Sequence, residues 1–175
     1  MLGEGTAVRP DGYIHGSVAT GEEAPRIVSF SRVAGGWRGD ALCREGRALE
    51  GPVFLPENEW EEVAAQGDPV LAIHIPAGDP LTPAACDDSF TRAKAFFARY
   101  FPDKPFRAYL CHSWLLAPEL PGLVGPESNI MAFWRRFSLF PILNNGEDVF
   151  TFLYAPKGRP ADLRALPEGS SLQRR

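Results

Sequence analysis

Apolar residues along this chain follow two rhythms. Val70-Leu-Ala-Ile-His-Ile75 is continuously apolar except for His74, the pattern of a strand covered on both faces. Cys86, Phe90, Ala93, Phe97 and Tyr100 then recur at steps of 4, 3, 4 and 3, which is one face of a helix. Thr82 is suited to cap that helix, Pro83 to open it and Pro102 to stop it. Phe106-Arg-Ala-Tyr-Leu-Cys-His-Ser-Trp-Leu-Leu116 reads as a second long strand. Strand, helix, strand over residues 69–116 predicts a βαβ unit with its two strands parallel. The break at residues 76–81 then falls at the carboxyl end of a strand and the start of a helix, where open α/β sheets place ligands.

Around this unit the pattern is shorter. Residues 12–18 and 26–33 read as strands of a meander, punctuated by Gly21-Glu-Glu-Ala-Pro25 and Gly35-Gly36. Residues 37–55 are extended and irregular. Residues 56–66 predict a helix, with Pro56 in its first turn, Trp60, Val63 and Ala64 on one face, and Gly67 as its stop. Residues 118–124 predict a short helix, and Ser128 caps a further turn. Residues 133–143 alternate as a strand. Asn144-Asn145-Gly146 signals a hairpin with residues 148–154 as the returning strand. The expected organisation is one domain over 1–175: strands and a helix over 1–65, the βαβ core plus hairpin over 66–155, and a tail over 156–175.

Composition narrows the class. With 45% apolar and 23% charged residues among 175, the chain is globular. A domain of this size buries roughly 70% of its unfolded surface and needs no staples. The net charge of −4 argues against a nucleic-acid partner, and no apolar run reaches the length of a membrane span. Cys43, Cys86 and Cys111 are odd in number and widely spaced, with no metal-site or disulfide pattern, so reduced thiols, a cytoplasmic location and no metal are expected.

Several motifs come in one order: His74-Ile75-Pro76 after a strand, Cys111-His-Ser-Trp-Leu-Leu116 on the next, Ser128-Asn129-Ile130 followed by Phe133 and Arg136-Phe137, and Leu166-Pro167 with Leu172-Gln173-Arg174. Together they resemble the GNAT-like carboxy-terminal domain of bacterial acyltransferase-domain proteins. The resemblance covers roughly residues 66–174, and Cys-His-Ser-Trp-Leu-Leu is its most specific piece. It implies an α+β fold: a mixed, mostly antiparallel sheet with one parallel βαβ unit and helices on both faces. It also implies an N-acyltransferase, or a descendant of one, that takes acetyl-CoA or another acyl-CoA and passes the acyl group to an amine. In that family two adjacent parallel strands splay, the pantetheine arm enters the gap, and the pyrophosphate sits at the following helix start. Mapped here, the gap lies between residues 70–75 and 109–114 and the phosphate loop is 76–82, so Ile73, Ile75, Ala77, Gly78 and Thr82 are the candidate donor-binding residues. The loop departs from the usual Gly-rich pattern: only Gly78 lacks a side chain, two prolines lack N–H groups, and Asp79 is anionic. Such proteins also carry a separate amino-terminal domain and run on past the Leu-Gln-Arg element, so this chain is expected to be a fragment or a truncated frame.

N-acyl transfer needs a base for the attacking amine, donors for the oxyanion and an acid for the leaving thiolate. His74 is the first candidate base, since a free imidazole titrates near pH 6.5; its other reading is a histidine that fixes its strand by hydrogen bonding. His112 and Ser113 on the neighbouring strand are further catalytic candidates, although alternation points them to opposite faces. Tyr109 and Tyr154 are candidate acids. Asn129 and Arg136 are candidate substrate-binding residues, against ordinary roles at a helix turn and on a solvated face. Two other readings compete: a non-catalytic GNAT-like binding module, and a hydrolase using Cys111 or Ser113, for which no nucleophile motif is present.

Overall fold

The computed structural model describes residues 7–8, 12, 26–76, 78, 80–140, 142, 147–154, 162–169 and 173. In chain order these form β1 (Ala7–Val8), β2 (Arg26–Ile27), β3 (Phe30–Val33), β4 (Gly36–Gly39), β5 (Val53–Pro56), β6 (Val70–Ala72), α1 (Pro83–Tyr100), β7 (Ala108–Leu110), α2 (Leu120–Leu123), α3 (Asn129–Trp134) and α4 (Glu147–Leu153). The class is mixed α+β as expected, with antiparallel pairing throughout except for the parallel pair β6–β7. Two compact units divide the chain: Glu62–Phe137, and Met1–Glu61 with Ser138–Arg175.

The second of these units is built on β3–β4–β5, an antiparallel meander, and the short pair β1–β2. Val8 and Val28 are fully buried, with Leu42 and Ala48 packed against them. Trp37 is buried in β4 with the Arg32 guanidinium 4.4 Å from its ring centre. Asp40 is buried as well; its carboxylate accepts from the Ser29 amide at 2.9 Å and pairs with Arg26. Gly39 has φ +155°, and a Cβ there would meet the Ser29 carbonyl at 2.2 Å, so only glycine fits.

Three expectations fail outside the βαβ unit. The strand expected over 26–33 breaks at Val28-Ser29, where Asp40 replaces the ladder with side-chain and main-chain bonds to Ser29. No helix forms over 56–66, because Pro56 is held in β5 opposite Gly36 and the Glu57 amide donates to Gly35. Trp60 and Val63, the intended apolar face, are 54% and 61% exposed. Of residues 148–154, Asp148–Leu153 belong to α4 rather than to a strand. Glu147 and Asp148 sit in its first turn, where acidic groups suit the helix dipole, and Thr151 donates back to the Glu147 carbonyl. The hairpin turn at 144–146, the strand expected over residues 13–18, and the chain end at 174–175 lie outside the described residues.

In the unit Glu62–Phe137 the βαβ expectation holds. Val70, Leu71 and Ala72 pair in parallel with Ala108, Tyr109 and Leu110, and α1 connects them. The Thr82 hydroxyl accepts from the Ala85 amide at 3.3 Å, and Pro83 opens the helix. Phe90 and Phe97 on the expected face meet Tyr109 and Phe106 at ring separations of 5.0 and 6.3 Å. The Tyr109 hydroxyl donates to the Phe90 carbonyl at 3.0 Å. Tyr100, last of the stripe, is 56% exposed.

The strands are shorter than the sequence pattern suggests. β6 has three residues and alternates in exposure rather than being covered on both faces, so Val70 remains 39% exposed. β7 ends at Leu110, because Ser113 turns the chain into a 3-10 helix at Trp114–Leu116; its hydroxyl accepts from the Leu115 amide at 3.2 Å. α2 is the short helix expected over 118–124. Residues 133–134 belong to α3 rather than to a strand. Ser128 caps α3 as expected, Met131, Phe133 and Trp134 are buried, and the Trp134 indole donates to the Ala117 carbonyl at 3.1 Å.

Removing the Thr82 cap should expose an unpaired amide at the head of α1. Thr82→Ala is expected to cost about 1 kcal/mol, read as a lower urea midpoint at constant slope, whereas Thr82→Ser should stay close to the parent. Equal losses from both substitutions would show that the hydroxyl is not the cap.

Candidate functional site

The parallel ladder β6–β7 has a defined end. Its last backbone bond runs from the Ile73 amide to the Leu110 carbonyl at 2.8 Å. Beyond it, among the described residues, no backbone hydrogen bond joins residues 74–76 to residues 111–113. Pro76 lacks an N–H, and Ser113 commits its carbonyl to the Leu116 amide of the 3-10 turn. Each chain therefore leaves the ladder for its own local reason.

A cleft of about 260 Å³ opens directly at this ladder end. One wall is Ile73 to Pro76, another is the first three turns of α1, and Phe133 of α3 closes a side. That volume is just below the roughly 300–1,000 Å³ of small-molecule pockets, so the cleft suits one portion of a longer ligand. Its surface is mostly aliphatic and aromatic, with His74, Ser89 and Arg92 as the polar side chains.

The α1 wall is a stripe the sequence reading did not single out. Ala85, Ser89 and Arg92 recur at steps of 4 and 3, parallel to the core stripe that begins at Cys86 and Phe90. Small and polar residues flanking a helix core look like ordinary surface. The loop before α1 is what turns this flank into a wall. Arg92 is 76% exposed on its side chain and pairs with Asp88 at 2.9 Å.

The sequence candidates divide. Ile73, His74 and Ile75 line the cleft, with His74 exposed. Gly78 is exposed with φ +88°, and Ala77 lies outside the described residues. Thr82 sits at the head of the α1 wall with its hydroxyl engaged as the cap. His112 is exposed and Ser113 half-buried, and neither lines the cleft. Asn129 is the exposed first residue of α3. Arg136 is paired with Asp87 at 2.6 Å and donates to the Pro83 carbonyl at 3.1 Å. The Tyr109 hydroxyl is given to Phe90, and that of Tyr154 to the Gln173 carbonyl.

Electrostatics follow from these contacts. The hydrogen bond from Arg136 holds the Asp87 carboxyl below the usual carboxylate range, and Asp87 in turn raises the Arg136 guanidinium. Burial pushes the Cys111 thiol up, which disfavours the nucleophilic thiolate. Among the described residues no three His, Cys, Asp or Glu side chains gather to hold a metal ion, and no helix is long and apolar enough to cross a membrane.

Comparison with known proteins agrees with this architecture. A family model described as the GNAT-like C-terminal domain matches residues 20–175. An acyltransferase solved in complex with decanoyl-CoA is similar over 82% of this chain and 39% of its own, at 31% identity and a TM-score of 0.55. An acyltransferase in complex with CoA and 10C-teicoplanin is similar over 80% of this chain and 39% of its own, at 27% identity and a TM-score of 0.55. An acyltransferase mutant with octanoyl-CoA is 27% identical over 86% of this chain and 40% of its own, with a TM-score of 0.50. The chain thus spans 39% of the length of the first two. No curated protein matches it. The resemblance carried by the His-Ile-Pro and Cys-His-Ser-Trp-Leu-Leu segments is therefore one of kinship: the chain belongs to the GNAT-like C-terminal domain family.

Proposed function

We propose that this chain is an acyl-CoA-dependent N-acyltransferase domain whose donor lies in the cleft at the end of β6. One observation carries the reading: the parallel ladder stops at the Ile73–Leu110 bond with a cleft immediately beyond it. Backbone groups of residues 74–75 that leave a ladder need new partners, and the amides of a pantetheine arm supply them. The anionic end of the donor then lies toward the start of α1. The helix dipole favours negative charge there. Thr82 already takes the Ala85 and Cys86 amides, and Pro83 has none, so fewer amides remain than at an open helix start.

His74 is the base in this reading, because it is the imidazole that lines the cleft. It takes a proton from the attacking amine as the nitrogen bonds to the thioester carbonyl carbon. The tetrahedral oxyanion collapses, the carbon–sulfur bond breaks, and CoA leaves as a thiolate that takes up a proton. The products are an amide and free CoA. The acyltransferase structure in complex with CoA and 10C-teicoplanin supports a small molecule as acceptor. Cys111 takes no part, since burial pushes its thiol up and disfavours the thiolate.

Titration with CoA and with octanoyl-CoA tests the donor site. Both should release heat and raise the unfolding temperature; ligand at 100 times Kd adds about 2.7 kcal/mol of stability. No heat and no thermal shift at millimolar ligand would instead favour a non-catalytic binding module.

With a panel of primary amines and octanoyl-CoA, CoA release should fall about 100-fold in His74→Ala, the scale of a lost general base, while CoA affinity stays near the parent. Unchanged release would remove His74 from the chemistry. Gly78→Glu should weaken CoA binding more than Gly78→Ala does. Both strain a position at φ +88°, and only the first adds negative charge beside the phosphates.

Alkylation checks the thiol. Cys111 should react with iodoacetamide at pH 8 more slowly than a free cysteine in a short peptide. A faster reaction would reopen a nucleophilic role.

A further inference from the structure

Arg136, a candidate substrate-binding residue by sequence, bonds to α1 and does not line the cleft. One guanidinium nitrogen bonds the Asp87 carboxylate at 2.6 Å and the other the Pro83 carbonyl at 3.1 Å. The group also lies 5.9 Å from the centre of the Phe90 ring. The Arg136 side chain is 24% exposed and that of Asp87 66%, so the pair lies at the surface with its guanidinium end the more covered. All three anchors are on the first turns of α1. At its own end, the Arg136 amide donates to the Phe133 carbonyl at 3.0 Å.

The two ends of this connection adjoin two walls of one cleft. Phe133 closes the α3 side, and Cys86 and Phe90, beside and one turn beyond Asp87, form part of the α1 side. Neither Asp87 nor Arg136 lines the cleft itself. We propose that the Asp87–Arg136 pair is a positioning clamp that sets the separation of the α1 and α3 walls, so that donor affinity depends on two residues that do not touch the donor. This rests on the reading of the cleft as the acyl-CoA site. The clamp spans 49 residues of sequence and joins a helix of the βαβ unit to the chain just beyond α3.

The clamp and a direct ligand role predict opposite signs for one variant. If Arg136 met an anionic donor, Asp87→Asn would release it and leave affinity unchanged or improved. If the pair positions the walls, Asp87→Asn weakens binding just as Arg136→Met does. The experiment is calorimetric titration of CoA and octanoyl-CoA into the parent chain, Asp87→Asn, Arg136→Met and the double variant. It is run well below the unfolding temperature of the least stable, after circular dichroism confirms helix content. Each single variant is expected to lose roughly fivefold or more in affinity, and the double variant to lose no more than the worse single one. Arg136→Lys, which retains the charge but not the two-pronged geometry, should fall between the parent and Arg136→Met; it is the informative variant if Arg136→Met does not fold. Weakening by Arg136→Met alone would overturn the clamp in favour of direct contact. Lower unfolding temperatures with unchanged affinities would overturn it in favour of a structural pair. A parent chain that binds neither ligand would overturn the donor reading, and the clamp's functional role with it.

Discussion

The seating of α1 on the parallel pair β6–β7 is the constraint on which the rest of this unit depends. Phe90, Phe97, Phe106 and Tyr109 interlock at tilted and edge-on angles, and the Tyr109 hydroxyl ties the strand to the helix backbone through the Phe90 carbonyl. Aromatic pairs of this kind add about 0.5–1.5 kcal/mol each beyond the area they bury. They also fix rotation. With Phe90 turned toward Tyr109, the neighbouring line through Ala85, Ser89 and Arg92 must face the loop after β6. The cleft is thus a by-product of how a helix core is satisfied.

Three hydroxyls in this unit are spent on architecture. Thr82, Ser113 and Ser128 each accept from a backbone amide at the start of a helix or turn. The polar side chains that line the cleft are instead His74, Ser89 and Arg92. The same division explains why two neighbouring strands part where they do. Pro76 cannot donate to a continued ladder, and Ser113 draws its own segment into a turn.

The long-period signals in the sequence translated well. The 4-3-4-3 spacing from Cys86 gives α1, and the apolar runs on either side give the parallel pair. Short apolar runs did not, because a segment of four to eight residues fits helix or strand until its neighbours decide. Pro56 looked like a helix start, but sheet pairing with Gly36 claimed it. Residues 148–153 looked like a strand and became α4, headed by two acidic residues. At the site, Ile73, His74 and Ile75 were legible because they end a strand. Ser89 and Arg92 were not, since nothing local distinguishes a wall-facing flank from a solvent-facing one. The partner of Arg136 was hidden for another reason: an ion pair across 49 residues leaves no trace in local pattern.

Asp40 shows how narrow a single position can become. Its main-chain amide donates to the Ser29 carbonyl at 2.8 Å and its carboxylate accepts from the Ser29 amide at 2.9 Å, so one residue stands in for a missing rung of sheet. The neighbouring Gly39 brings the two backbones too close for any added methylene. Glutamate is therefore too long for the place, and asparagine keeps the acceptor while forfeiting the bond to Arg26. A single short carboxylate thus holds two backbone segments in register where the ladder itself is interrupted, and its loss would leave the Ser29 amide without a partner.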